Sequence, residues 1–231
     1  AKVGAIVEAL SNSGPTADLV TVVTSDHGEH FGEHRLLDHQ FSLRNVLLHV
    51  PLVVHGVPGA KAAVIDEPVS LIDVAPSVLA WAGLDPSDLP GRVLPAEAPA
   101  APLPPRDLFA AYSDGKPGDW PGEIRMFAAD SSRKRAQCGP SDRVFGDIAS
   151  LTRFPHKLIW YRDHPAQLYD LRWDAAERTD QAATLPETAA RLEAEITEHL
   201  ERTGFFRDSA GSAPALSPEA REALEGLGYV E

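Results

Sequence analysis

The strongest constraint on the fold is a continuous apolar run at residues 19–24 that leads directly into a polar loop containing glycine. Because the run from Leu19 to Thr24 is rich in β-branched residues, it is typical of a strand covered on both faces, as in a parallel sheet. The sequence predicts a second buried strand at Val50–His55 and a helix at Ser70–Ala82. Together with apolar residues at helical spacing in 3–10, this order indicates an α/β sheet over residues 1–100.

The second part of the chain, residues 101–231, predicts a small α+β lobe. A proline-rich stretch at 85–105 indicates an exposed connection between the two parts. An amphipathic helix is predicted at Leu185–Leu200 and a shorter helix at Pro218–Leu227. The strands of a short antiparallel sheet are predicted at Leu108–Tyr112, Met126–Ala129, Lys157–Tyr161 and Gln167–Leu171.

Charge and composition exclude several classes of function. The chain has 21 Lys and Arg against 34 Asp and Glu, a net charge of −13, so we expect no nucleic-acid partner. A single cysteine, Cys138, excludes an internal disulfide framework. No apolar stretch approaches the roughly 20 residues of a membrane span. No signal-peptide layout is visible, so we expect a cytoplasmic location, although Ala1 suggests that the chain begins within a longer protein.

The loop at residues 25–34 carries the chemistry. Asp26 offers carboxylate oxygens and His27 an imidazole nitrogen, so the adjacent pair can ligate one cation, and Gly28 allows a sharp turn behind it. Two other interpretations stay open. His30 to His34 fits the H-x-x-E-H pattern of a helical zinc-peptidase site, with Gly32 against the helix, and the loop could simply be a polar surface loop.

A set of motifs in a fixed order resembles the sulfatase family of the alkaline-phosphatase-like superfamily. The matching elements are Thr24–Glu29, Gly32–His34, Asp38–His39, Val50–Val54, Ser70–Leu79 with Ala82–Gly83, Gln167–Leu171 with Asp174 and Glu177, and Leu224–Val230. The resemblance implies a partial alkaline-phosphatase-like sheet in 1–100, the end of the catalytic domain, followed by an accessory lobe in 101–231.

The resemblance also implies roles for individual residues. Asp26 and His27 match the second pair of metal ligands, and the metal is most often calcium, although manganese and zinc also suit a mixed Asp/His site. His39 matches the Lys or His that touches the sulfate or the leaving-group oxygen, as a cationic clamp or general acid; otherwise it is a surface histidine. His34 is then a positioning residue, and His30 a solvated side chain.

The family pattern also shows departures and further expectations. Arg35 stands where the family usually has glycine, and Arg44-Asn45 replaces a tyrosine and an acidic residue. Asp73 is expected to cap a helix near Pro76 rather than to act in catalysis.

The nucleophile of sulfatases is a formylglycine made within C/S-x-P-x-R, a motif that precedes the metal loop. The near match Cys138–Arg143 has the wrong spacing and follows that loop, so we interpret Cys138 as an ordinary thiol. The chain therefore resembles the C-terminal portion of a sulfatase, with half of the metal site and no activity alone. Because its sheet would lack neighbouring strands, we expect it to need the missing half or to associate with itself.

The function has three readings. The first is hydrolysis of a sulfuric ester, with a sulfated sugar as one candidate substrate. Arg133, Lys134 and Arg135 could attract such a polyanion, but a solvated basic turn is the favoured interpretation of these residues. The second is a phosphodiesterase, a phosphonate monoester hydrolase or a phosphoethanolamine transferase of the same superfamily. The third is a truncated remnant that folds and catalyses nothing.

Overall fold

The computed structural model describes residues 2–12, 19–39, 41–97, 103–113 and 147–205. It divides the chain into two compact units: Ala1–Gly28 with His49–Leu108, and Glu29–Leu48 with Phe109–Glu231. The assignment of a catalytic domain to 1–100 and an accessory lobe to 101–231 stays a prediction. In the structure, the segment 29–48 belongs to the same unit as the C-terminal residues.

The first unit begins with helix α1 (Lys2–Asn12) and contains a two-stranded sheet of β1 (Thr21–Thr24) and β4 (Leu52–His55). The two strands are antiparallel, with Thr21 opposite His55 and Thr24 opposite Leu52. The expectation that β1 lies in a parallel sheet is therefore wrong. The second predicted strand is not buried throughout, because Val53 of β4 is 58% exposed. A β-branched run indicates a strand, but it does not specify the direction of the neighbour.

In the first unit, the side chain of Asp73 stabilises the start of a helical segment through buried hydrogen bonds and is 1% exposed. A 3₁₀ turn (Leu71–Asp73) leads into α3 (Val74–Trp81), and the Asp73 carboxylate accepts hydrogen bonds from Ser70 N and Arg92 N, at 3.0 and 2.8 Å. Arg106 donates to both carboxylate oxygens at 2.8 and 2.7 Å. Asp73 therefore caps the 3₁₀ turn and not α3 itself. Burial alone would raise its pKa, but these donors outweigh burial and lower it.

The second unit is built on a four-stranded sheet in the order β5-β6-β7-β8, in which β7 pairs antiparallel with both β6 and β8. The strands are β5 (Leu108–Tyr112), β6 (Ile148–Arg153), β7 (His156–Tyr161) and β8 (Gln167–Asp170). Three of them match predicted strands, and β6 was missed. The predicted elements at Met126–Ala129 and Pro218–Leu227 lie outside the described residues.

One long helix, α4 (Pro186–Thr203), packs on this sheet. Pro186 opens it and Gly204, at φ 64°, closes it in the left-handed conformation. Its Leu192 and Ile196 are buried with the inward residues of β6, β7 and β8. The predicted antiparallel sheet with a helix is confirmed, and so is the mixed α/β fold class.

The segment 29–48 packs against the same sheet. It contains β2 (His30–Phe31), a 3₁₀ turn (Glu33–Arg35), β3 (Leu37–Asp38) and α2 (Asn45–Leu48). Leu43 is buried in one cluster with Ile148, Ile159, Tyr161 and Tyr169. No helix within the described ranges is long and apolar enough to cross a membrane.

The Asp73–Arg106 pair gives a stability prediction. We expect Arg106→Met to lower the free energy of unfolding by about 3–5 kcal/mol, because it leaves a buried carboxylate without its cation. Urea unfolding followed by circular dichroism measures the change.

The control variant is Lys61→Met, in the same unit. Lys61 pairs with Glu97 at 3.7 Å, but the two side chains are 83% and 58% exposed, so we expect a change within about 1 kcal/mol. Equal losses in the two variants would show that Arg106 contributes no more than a surface charge.

Candidate active site

The loop after β1 is shaped by local hydrogen bonds. Asp26 Oδ1 accepts from the backbone N–H of His27 at 3.0 Å, and the Ser25 hydroxyl donates to the carbonyl of His27 at 2.7 Å. These contacts link three consecutive residues. The predicted ligands thus stand in a turn at the carboxyl end of a strand.

Asp26 and His27 present their side chains together. Asp26 Oδ2 lies 3.8 Å from His27 Nε2, and the two side chains are 66% and 37% exposed. His27 Nδ1 lies 2.9 Å from the carbonyl of Gly28, and a proton donated there places the ring lone pair on Nε2. Since protein ligands lie about 2.0–2.6 Å from zinc or calcium, donors at this separation can reach one ion. The pair fits a divalent cation.

His39 follows the short hairpin of β2 and β3, in which His30 stands opposite Asp38. This register brings Glu29, one residue before the pair, next to His39, one residue after it. His39 Nδ1 lies 2.7 Å from Asp38 Oδ1 and 3.4 Å from Glu29 Oε2. Two carboxylates thus orient one imidazole, whose side chain is about one-third exposed.

Glu29 and Asp38 are additions to the predicted site. With His39 they form the group of three possible metal-ligating side chains found in the described part of the chain, with ligand atoms within 4.8 Å of one another. Asp38 could have been suspected as a neighbour of His39 in sequence. Glu29 is ten residues away, and finding it needs the hairpin register.

The zinc-peptidase interpretation of 30–34 is wrong. It requires a helix, whereas His30 lies in β2, and the following 3₁₀ turn has His34 in the left-handed region at φ 54°. Glu33 turns back to accept a hydrogen bond from Phe31 N at 2.7 Å. Arg35, where the family usually has glycine, also has a positive φ of 62° and so takes a conformation that favours glycine.

His30 is buried, which corrects the expectation of a solvated side chain. It is 1% exposed, and neither ring nitrogen has a hydrogen-bond partner among the described residues. Its ring packs edge-on against the ring of His34, with centroids 6.4 Å apart. Burial, followed by the charges of His34 and Arg44 against the opposing carboxylate of Glu33, lowers the pKa of His30 to about 4.

Comparison with known proteins supports the resemblance read from the motifs. The sequence model of the sulfatase family matches residues 1–84. Arylsulfatase K from Bos taurus is 29% identical over 202 residues, which cover 85% of this chain and 33% of the relative. The resemblance to sulfatases is confirmed. The chain spans about one third of that arylsulfatase.

Two solved structures share the fold of this chain. Phosphonate monoester hydrolase from Silicibacter pomeroyi superposes with a TM-score of 0.62 and 25% identity, over 87% of this chain and 38% of that one. A protein solved with its substrate D-glucosamine-2-N,6-O-disulfate superposes with a TM-score of 0.60 and 20% identity, over 90% and 40%. The second shows the fold alone.

Burial of neutral His30 predicts a pH dependence of stability. Its folded pKa of about 4 lies below the ordinary 6.5, so between these values the unfolded chain binds a proton that the folded chain does not. Stability is therefore lost as the pH falls through this window. We expect the wild type to lose roughly 3 kcal/mol more than His30→Leu between pH 7 and 4.

Urea unfolding at several pH values checks this, with exposed His49→Leu as the matched control. We expect that control to follow the wild type. A wild type and a His30→Leu variant that lose stability in parallel would contradict the assignment of the proton to His30.

Proposed function

We propose that this chain supplies half of a divalent-metal site and a leaving-group residue to a sulfuric ester hydrolase. The observation that carries the proposal is the Asp26–His27 pair, 3.8 Å apart and exposed at the end of β1, inside the segment that matches the sulfatase family. The full activity belongs to a longer assembly, since the chain spans only a third of the arylsulfatase it resembles.

Asp26 and His27 would hold the cation through Oδ2 and Nε2. A bound divalent metal polarises the oxygens of a sulfate ester. We propose calcium, because a carboxylate is a hard ligand and the family most often uses this ion. The imidazole keeps manganese and zinc as alternatives.

His39 is proposed to contact the sulfate or the leaving-group oxygen. With Nδ1 directed at Asp38 and Glu29, the protonated ring directs its second N–H, on Nε2, away from these carboxylates. That N–H can bind an anionic oxygen or donate its proton to a departing alkoxide. Asp38 and Glu29 act through His39 and are positioning residues.

The nucleophile is proposed to come from residues beyond this chain. Cys138 and Arg143 lie outside the described residues and do not fit C/S-x-P-x-R. A partner that supplies this motif would also cover apolar side chains on α1, where Val3 and Ile6 are 51% and 58% exposed. Alternatively, self-association of the chain would bury the same side chains.

For the substrate, we propose a sulfate monoester carried by a sugar. This choice is supported by the fold shared with the protein solved in complex with D-glucosamine-2-N,6-O-disulfate. The likeness to phosphonate monoester hydrolase, at 25% identity, favours a phosphonate or phosphodiester as the second candidate.

Calcium titration of the 231-residue chain tests the metal ligands. We expect binding that Asp26→Asn and His27→Gln each weaken by at least about tenfold, because each removes one protein ligand. Isothermal titration calorimetry with calcium chloride measures it. His49→Gln, an exposed histidine of the same unit, is the control and should keep wild-type affinity. Unchanged affinity in Asp26→Asn would reject the site, and preferred manganese or zinc binding would replace calcium.

Hydrolysis of an aryl sulfate and an aryl phosphodiester tests the reaction. We expect no turnover by the chain alone, and calcium-dependent turnover of the sulfate once the chain is joined to a segment bearing C/S-x-P-x-R. In that form His39→Gln should lower kcat by about 10²–10⁴-fold, as expected for loss of a general acid, whereas His49→Gln should not.

The other outcomes are also decisive. Faster phosphodiester cleavage would favour the phosphonate hydrolase reading. Turnover by the isolated chain would show that the nucleophile lies within it. No turnover of either ester by the joined form would leave the truncated remnant as the correct interpretation.

A further inference from the structure

A buried ion pair lies in the second unit, far in sequence from the loop that carries His39. Lys157 Nζ on β7 lies 2.7 Å from Glu177 Oε1, and the two side chains are 0% and 1% exposed. Burial lowers the pKa of Lys157, and the charge of Glu177 opposes that effect. Taking two charges out of water is costly, so such a pair is weak evidence for stability by itself. Its contacts suggest a different use.

Arg44 and Asn45 are hydrogen-bonded to this pair and to neighbouring groups of the second unit. Glu177 Oε2 accepts a hydrogen bond from Asn45 N at 2.8 Å, and Lys157 Nζ donates to Asn45 Oδ1 at 2.8 Å. Arg44 Nη1 donates to the carbonyl of Glu177 and Nη2 to Gln167 Oε1, each at 3.0 Å. Two neighbouring residues thus make four hydrogen bonds to groups more than 100 residues away in sequence.

These bonds fix the end of the segment that carries His39. Arg44 follows His39 by five residues. Between them, Phe41 is buried with Leu36, and Leu43 is buried in the sheet cluster. The segment is therefore held by apolar packing along its length and by the ion pair at its end.

We propose that Lys157 and Glu177 are positioning residues, whose side chains hold Asn45 and thereby set the placement of the His39 ring. The catalytic meaning of that placement rests on the proposed function of His39. The placement itself does not, because it can be measured without substrate, metal or turnover.

The test uses the whole chain and the double variant Lys157→Met/Glu177→Gln. Removing both charges avoids the unpaired buried charge that either single variant would leave. Asn45→Ala is a second variant, which leaves the ion pair intact and removes the Asn45 side chain, with its contacts to Lys157 Nζ and to the carbonyl of Ala175. Glu195→Gln is the matched control, since Glu195 pairs with Arg153 at 2.5 Å and joins β6 to α4.

Two measurements read the segment separately from the sheet. Amide hydrogen exchange compares residues 41–47 with 158–160 of β7, and the ring resonances of His39, assigned by their loss in His39→Gln, report its geometry. In the double variant we expect exchange at 41–47 to rise at least about tenfold, with the His39 resonances shifted or broadened, while β7 keeps its protection. Asn45→Ala should act in the same direction, and Glu195→Gln should leave both readouts unchanged.

Three results would overturn the proposal. The first is wild-type exchange at 41–47 with wild-type His39 resonances in the folded double variant. The second is an equal rise in amide exchange at 41–47 and at 158–160, or global unfolding of the double variant while Asn45→Ala matches the wild type. In either case the pair would serve general stability alone. The third is an equal effect of Glu195→Gln. Lack of sulfatase activity with the expected segment-specific changes would count against the proposed function and not against this inference.

Discussion

A carboxylate buried in a protein must be compensated by hydrogen-bond donors or cations that the protein supplies, and the described structure shows this twice. Asp73 accepts hydrogen bonds from Arg106 and from backbone N–H groups at Ser70 and Arg92. Glu177 forms an ion pair with Lys157 and accepts a hydrogen bond from the N–H of Asn45. Each acid thereby connects segments distant in sequence, and since a buried acid without donors is very unfavourable, the connections are obligatory. Each compact unit has one such anchor.

The two candidate elements differ in their contacts. The turn with Asp26 and His27 contains hydrogen bonds among adjacent residues. The placement of His39 depends on a hairpin register and on side chains from β7 and from the turn after β8. For His39, the folded C-terminal sheet is therefore required in addition to the motif.

The range of the contacts decides what could be predicted from the sequence. The adjacent Asp26 and His27 at the end of a strand, the long helix and three of four strands in the C-terminal sheet follow from local patterns. The antiparallel direction of β1, the burial of His30 and the contact of Glu29 with His39 depend on pairing between segments, which periodicity does not encode. Strand β6 (Ile148–Arg153) was missed because its Ser, Thr and Arg residues weaken the apolar signal.

Between β2 and α2, four of the described residues other than glycine have positive φ angles: His34, Arg35, Asp38 and Phe41. Each such backbone conformation costs free energy that an isolated peptide would avoid, on the order of 1 kcal/mol or more. A short peptide copied from this region would therefore relax into other shapes, even with every motif letter intact. Proteins selected on the Asp-His-Gly-Glu signature alone can thus include chains in which no contact holds the residue that matches His39 in the conformation described here.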